Sequence, residues 1–271
     1  MKKVSLFLAS VLSIALSAHA LTESGGCYQI GSADDLYEFA ELFTAYYEDS
    51  LPPRLDCAKL TQNIVVNTNV LKEDGSPNAG PFRKWNLIND FAGVFDGQGH
   101  TISGLYQLDT TSDAGFLAAW KGPLTVKDLG IVDSYFAVDF DDSEKGNYSA
   151  ASLVAYSGDT LIVENCFSAA TVEMYTFSDA VGGLVGGTSK LAVIRNSYNE
   201  GVVRVTDERT QGSVDYYRFA PAGGLVGEAG SKSAVRIENS YNAGPISGLL
   251  YVGGLVGNSE KAEYDPCKII F

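Results

Sequence analysis

Gly182-Gly183-Leu184-Val185-Gly186, Gly223-Gly224-Leu225-Val226-Gly227 and Gly253-Gly254-Leu255-Val256-Gly257 are the same five residues met three times in one chain. Asn196-Ser197-Tyr198 follows the first copy and Asn239-Ser240-Tyr241 the second. Two looser copies precede them: Gly115-Phe116-Leu117 with Asp133-Ser134-Tyr135, and Ser152-Leu153-Val154 with Asn165-Cys166-Phe167. The starts of the five copies are 37, 31, 41 and 30 residues apart, and the fifth copy stops after Asp265-Pro266-Cys267. A period in this range, filled with short apolar runs broken by glycine, indicates a solenoid of stacked strands. No single unit can bury its own apolar face. Stacked in parallel about 4.8 Å apart, the units pair their backbones and merge their faces into one core. The glycines permit the sharp corners between strands.

Stacking in register places like residues above one another. Leu184, Leu225 and Leu255 are expected to form a buried ladder. Asn165, Asn196 and Asn239 are expected to form a second, bonded through their amides. Phe167, Tyr198 and Tyr241 then make an aromatic stack. The residue before each Asn is Glu164, Arg195 and Glu238 in turn. Such alternation of sign favours neighbouring outward positions on paired strands.

Working back toward the N-terminus, Cys27 to Ile30 reads as a short strand. Ser32 opens a helix, with Asp35 three residues on as a capping-box variant. Leu36, Phe39, Ala40, Phe43 and Tyr47 recur at helical spacing, and Pro52-Pro53 ends the element. Leu60 to Val70 reads as a strand, and Phe91 to Leu105 as short strands joined at Gly and Asp. Cys27 and Cys57 bracket the helix and are expected to form a disulfide. Cys166 and Cys267 sit in units far apart and are not expected to pair. The chain therefore reads as all-β, a parallel β-solenoid over 61–271 whose clear repeats occupy about 115–271. A cap over 21–60, with its helix at 32–48, covers strand edges that an open end would expose.

These repeats resemble the GLUG motif of bacterial secreted and surface proteins, named for a Gly-Leu-any-Gly core, here Gly183-Leu184-Val185-Gly186, Gly224-Leu225-Val226-Gly227 and Gly254-Leu255-Val256-Gly257. The upstream part is similar to the region that often precedes such repeats. It carries Tyr28-Gln29-Ile30, Asp35-Leu36-Tyr37-Glu38-Phe39-Ala40, Asn63-Ile64-Val65-Val66-Asn67 and the run from Phe95-Asp96-Gly97 to Gly104-Leu105. The resemblance spans nearly all of the chain beyond residue 20. It implies a right-handed parallel β-helix, a place outside the cell or on its surface, and adhesion as the usual role. A motif of this kind defines a fold unit and no chemistry.

Residues 1–20 read as a signal peptide: Lys2 and Lys3, an apolar run from Val4 to Ala18, and Ala18-His19-Ala20 as the cleavage site. Ser24-Gly25-Gly26-Cys27 loosely resembles a lipid-attachment box, but Thr22 and Glu23 separate it from the apolar run. Of 19 basic residues, Lys2 and Lys3 leave with the leader, so 17 face 33 acidic ones, a net charge of −16. That balance disfavours nucleic acid and anionic membrane surfaces. Beyond the leader no apolar run is long enough to span a membrane. The expected location is outside the cell or on its outer surface.

Chemistry-bearing residues are sparse. His100, the one histidine beyond the leader, lies where a turn enters a strand with no nucleophile in view, so a structural role is expected. No Cys/His spacing suggests zinc, and no cofactor is implied. Asp139, Asp141 and Asp142, with Glu144, could bind Ca2+ weakly, though they lack the EF-hand spacing and an acidic loop facing water is the simpler reading. Loops between units, at about 137–150, 172–181, 203–222 and 245–252, should emerge on one side. They carry Tyr148, Tyr175, Phe177, Tyr216, Tyr217, Phe219 and Tyr251. Such rings can stack on sugars or protein partners, or tuck over the solenoid edge as core. The expected function is non-catalytic: a secreted or surface protein binding an extracellular glycan or protein surface through these loops. A carbohydrate-active β-helix enzyme with paired carboxylates and a passive structural spacer are the alternatives.

Overall fold

A computed structural model of the chain describes residues 21–44, 55–110, 112–139, 148–175, 180–206, 220–248, 250–259 and 268–270. Within them the protein is mostly β, with one helix and three sheets in which nearly all pairings are parallel. The helix, Ala33–Thr44, starts where the cap was expected. The Asp35 N–H donates to Ser32 Oγ at 3.1 Å, and the Asp35 carboxylate accepts the Gly31 N–H at 2.9 Å, one residue further back than an ordinary capping box reaches. Leu36, Phe39, Ala40 and Phe43 are buried. The Phe39 and Phe43 rings lie 5.4 and 5.1 Å from Phe91. Tyr47 lies outside the described residues. Cys27 and Cys57 are joined by a disulfide.

The largest sheet runs in chain order through Cys27–Ile30, Cys57–Leu60, Gly93–Ser103, Leu124–Val138, Leu161–Glu164, Leu191–Arg195, Ala234–Glu238 and Lys268–Ile270, each parallel to the next. It passes residue 60 without interruption, and one apolar cluster extends from Tyr28 to Ile237, so helix and repeats share a core. The strand expected over 60–70 is instead two, Cys57–Leu60 and Ile64–Val65. The reason lies in their neighbour Gly93–Ser103, which has an irregularity between Asp96 and His100, so each piece pairs with one half of it.

A second sheet holds Leu117–Ala119, Val154–Ser157, Val185–Thr188, Val226–Ala229 and Val256–Ser259, and a third holds Ser149–Ala151, Ala180–Gly182, Ala222–Gly223 and Val252–Gly253. Leu117, Val154, Val185, Val226 and Val256 stand opposite one another. The unequal repeat spacing is therefore the register of this sheet. On the main sheet Ala192 opposes Val235, a step two residues longer, because Gly230–Ser233 forms a larger turn than Ser189-Lys190.

Between the third and second sheets the chain turns at Gly-Gly-Leu. Leu184 and Leu225 are fully buried and Leu255 packs against the same core partly exposed, as a ladder requires. A Cβ on Gly182, Gly223 or Gly253 would stand 1.8 Å from the carbonyl oxygen of Val185, Val226 or Val256 respectively. The two sheets thus meet backbone to backbone at this corner, which is why glycine recurs there.

The first looser copy needs a correction. Glu164 opposes Lys127 and Phe167 opposes Gly130, so Asp128, not Asp133, is in phase with Asn165. Asp128 shares the positive φ of the Asn positions, 54° against 53°, 51° and 48° at Asn165, Asn196 and Asn239. Asp and Asn tolerate this conformation better than most side chains. Asp133 has another task. Its carboxylate accepts the N–H groups of Val70 and Leu71 at 3.2 and 2.9 Å, pinning a segment whose Val70 and Phe82 pack with Tyr135 in a small satellite cluster.

Candidate functional site

The repeated polar residues serve the scaffold. Asn165 Nδ2 donates to Asp128 Oδ1 at 2.9 Å, Asn196 Nδ2 to Asn165 Oδ1 at 3.2 Å, and Asn239 Nδ2 to Asn196 Oδ1 at 3.4 Å. At this turn the hydroxyl of the following serine replaces a backbone acceptor: Ser197 Oγ takes the Cys166 N–H at 3.0 Å and Ser240 Oγ the Ser197 N–H at 3.1 Å. A second amide ladder went unread in the sequence, although Tyr198-Asn199 and Tyr241-Asn242 both spell it. Asn199 Nδ2 donates to Asn242 Oδ1 at 2.8 Å.

Cys166 occupies the serine position. Its thiol donates to the Glu164 carbonyl at 3.2 Å, as Ser197 Oγ does to Arg195 at 2.8 Å and Ser240 Oγ to Glu238 at 2.7 Å. Burial pushes this thiol up to about 12. Since the thiolate is the reactive form, Cys166 in a Cys267→Ser background should resist Ellman's reagent at pH 8 until the protein unfolds. Cys166→Ser, which installs the residue that Ser197 and Ser240 place at this position, should cost no more than about 1 kcal/mol. Rapid labelling of the native protein would contradict this burial.

The sign alternation extends further than the sequence suggested. Lys59, Asp96, Lys127, Glu164, Arg195 and Glu238 oppose one another on successive strands. Lys127 Nζ lies 2.7 Å from Asp96, and Arg195 Nη2 lies 3.1 Å from Glu164 Oε2. Burial raises the Asp96 carboxyl, but hydrogen bonds from Lys127 and Gln98 outweigh it and hold the group below the usual carboxylate range. The part-exposed Glu164–Arg195 pair adds little stability, whereas the Asp96 carboxylate, buried, needs Lys127 as its partner. The effect of these pairs is on register, since a strand slipped by one residue would put Arg195 opposite an apolar residue or an Asn and lose its pairs.

Buried carboxylates are likewise engaged. Glu173 accepts the Tyr135 hydroxyl at 2.9 Å and the Thr206 hydroxyl at 2.8 Å, with Arg204 Nη1 at 3.5 Å. Asp113 accepts the Ser149 N–H at 2.7 Å. Among the described residues no group of three or more His, Cys, Asp or Glu is placed to hold a metal. Of the acidic loop only Asp139 is described; Asp141, Asp142 and Glu144 lie outside the described residues.

The loop aromatics divide. Tyr148 is half-buried against the core. Tyr175 packs in the satellite cluster with its hydroxyl 2.9 Å from that of Tyr135. Both rings tuck in. Tyr251 is 56% exposed. Tyr216, Tyr217, Phe219 and Phe177 lie outside the described residues. The structure therefore does not bring the described loop rings together.

It does assemble two other aromatic groups on or beside outward strand positions. Phe167, Tyr198 and Tyr241 stack at 5.3 and 5.0 Å with interplanar angles of 11° and 1°. Gly130 leaves room beneath them, since a Cβ there would meet the Phe167 ring at 2.4 Å. Tyr241 is 49% exposed. Beside the second sheet Trp120, one residue beyond Leu117–Ala119 and 44% exposed, stacks on Tyr156 with centroids 4.3 Å apart. Tyr156 opposes Gly187, which opposes Glu228, which opposes Asn258. Glu228 Oε1 accepts the Asn258 amide at 3.1 Å. The missing side chain at Gly187 opens a slot lined by Ser149, Tyr156, Thr188, Ser189, Glu228 and Gly230. No repeat signal announces Trp120 or Tyr156, because this column changes identity from rung to rung: Tyr156, Gly187, Glu228, Asn258.

Among the described residues no helix is long and apolar enough to cross a membrane. No protein-family model matches the chain, and no curated protein matches it. In fold it is similar to a candidate immunoglobulin A1 protease from Bacteroides ovatus, with a TM-score of 0.50 and 17% identity over 89% of this chain and 77% of that one. At that identity the likeness is one of fold, and the site is defined by this chain's own residues.

Proposed function

We propose that this protein is an exported, non-catalytic binding module, a right-handed parallel β-helix of GLUG-type repeats that presents aromatic ridges to an extracellular glycan or protein surface. The observation that carries the reading is the pair of stacks, Trp120–Tyr156 and Phe167–Tyr198–Tyr241, held partly exposed on or beside the outside of paired strands. Leaving large rings in water forgoes roughly 25 cal/mol for each Å² of apolar surface, so clustered exposed rings mark contact surfaces. Their polar tips and apolar faces suit hydroxylated partners.

Coiling is supported by three sheets that repeat the same unit order, and right-handedness by the near-universal hand of parallel crossovers. Export is supported by the leader and by a disulfide of the kind oxidising compartments maintain. The net charge of −14 for the full chain favours neutral or basic partners. Tyr251, 56% exposed, extends the proposed surface into one loop; Tyr216, Tyr217 and Phe219, which lie outside the described residues, are further candidates by sequence alone.

The test is a glycan array and a cell-wall pull-down with the purified mature protein, with and without Ca2+. Retention of neutral glycans or wall fragments is expected, reduced at least tenfold by Trp120→Ala together with Tyr241→Ala. Uniformly negative binding would sink the reading.

A further inference from the structure

We infer that the slot over Gly187 is a subsite for a single neutral sugar ring, an assignment that rests on the binding-module reading and gives it a chemical target. Tyr156 supplies the platform. Trp120 backs one side of its ring at 4.3 Å, and the ring's Cδ2 lies 3.1 Å from where a Gly187 Cβ would stand. A backed ring is already dehydrated on one face and fixed in orientation, so stacking on the other side costs little ordering.

Gly187 has a different role from the corner glycines. Its φ is not positive, and the atoms a Cβ would approach most closely, Tyr156 Cδ2 at 3.1 Å and Ser149 Oγ at 3.3 Å, belong to side chains. Neither conformation nor backbone contact demands glycine here. What it provides is space, because its column neighbours Tyr156, Glu228 and Asn258 all carry side chains. The slot measures about 190 Å³, below the roughly 300 Å³ of a drug-sized pocket, which limits it to one ring.

The polar lining points to hydroxyl groups. The Ser149 hydroxyl borders the slot, 3.3 Å from where a Gly187 Cβ would stand, and Ser189 adds a second hydroxyl. The Glu228 carboxylate, which accepts the Asn258 amide, lies on the far wall. Glu228 is the one charged group lining the slot among the described residues, so a sugar carrying a carboxylate should be rejected.

The test titrates the mature protein with methyl glycosides of a neutral hexose, an N-acetylhexosamine and glucuronic acid. Binding is read by saturation-transfer NMR and by Trp120 fluorescence, the second tryptophan, Trp85, being buried. A neutral glycoside should bind saturably with Kd on the order of 1 mM, and the glucuronide at least tenfold more weakly. Gly187→Val should abolish the signal with the melting curve retained. Tyr156→Ala, a second route to the same loss, guards against a misfolded first variant. Absence of saturable transfer from the wild type to any neutral glycoside overturns the subsite, as does binding that survives both substitutions. Glycan or cell-wall attachment that persists in either case leaves the module reading standing, so the two can fail separately.

Discussion

Replacing Gly223 by alanine is expected to lower stability by about 3 kcal/mol or more, the upper range for a side chain forced into a closed site, while Gly254→Ala, one residue along in the next copy of the same motif, stays within about 0.5 kcal/mol. A Cβ on Gly223 would lie 1.8 Å from the Val226 carbonyl oxygen, 2.6 Å from its carbon and 2.7 Å from the Gly257 nitrogen. All three are backbone atoms, so no rotamer change relieves the clash. Moving the strand would strain its pairings with Val181-Gly182 on one side and Val252-Gly253 on the other. Around Gly254 nothing lies within 4 Å of the added carbon. Urea unfolding of the two variants checks the contrast. Because repeat arrays can unfold in parts, hydrogen exchange on Ala222–Gly223 and Val226–Ala229 should accompany it. Equal midpoints for the two variants would show that the glycines act through chain flexibility and not through close approach.

What the sequence carried was whatever recurs. The spacing of the Gly-Gly-Leu-Val-Gly copies is the register of the second sheet, and the Asn, Leu and aromatic ladders follow from it because parallel stacking puts like over like. The Glu164, Arg195, Glu238 alternation was legible for the same reason and extends through Lys127 and Asp96 to Lys59. Sequence and structure diverge where position in the unit and residue identity part company. Asp133-Ser134-Tyr135 imitates Asn-Ser-Tyr in chemistry but stands five residues out of phase, and only the pairing of Glu164 with Lys127 reveals Asp128 as the equivalent. The slot was invisible because it depends on an absence, the side chain of Gly187, between two neighbours that share no residue type. Loop aromatics drew attention by composition, yet Tyr175 is satisfied internally by Tyr135, a partner 40 residues away that no local pattern indicates.

Removing the Cys27–Cys57 bond is the second change expected to cost most. The residues are 30 apart in sequence, and the chain-entropy relation for a loop of that length gives about 3–4 kcal/mol. The bond joins the first two parallel strands of the main sheet, where Tyr28 opposes Ala58 and Ile30 opposes Leu60. The closed loop also contains the helix whose Phe39 and Phe43 pack on Phe91, with Phe39 also 6.0 Å from Phe95. Without the bond, the helix and its two flanking strands are held by side-chain packing and a few short strand pairings. Stacked units couple mainly to their neighbours, so the loss should be local first. In a Cys27→Ala, Cys57→Ala variant, exchange of the amides in Cys27–Ile30, Ala33–Thr44 and Cys57–Leu60 should accelerate well before that of Leu191–Arg195. The urea midpoint of the whole chain should fall less than a global two-state loss of 3–4 kcal/mol would give. Uniform acceleration across all strands would mean that the protein unfolds as one cooperative unit, with its N-terminal segment no more separable than any repeat. A change below about 1 kcal/mol with unaltered exchange would mean that the helix and the Phe39–Phe91–Phe95 cluster already hold these strands in place, leaving the disulfide redundant.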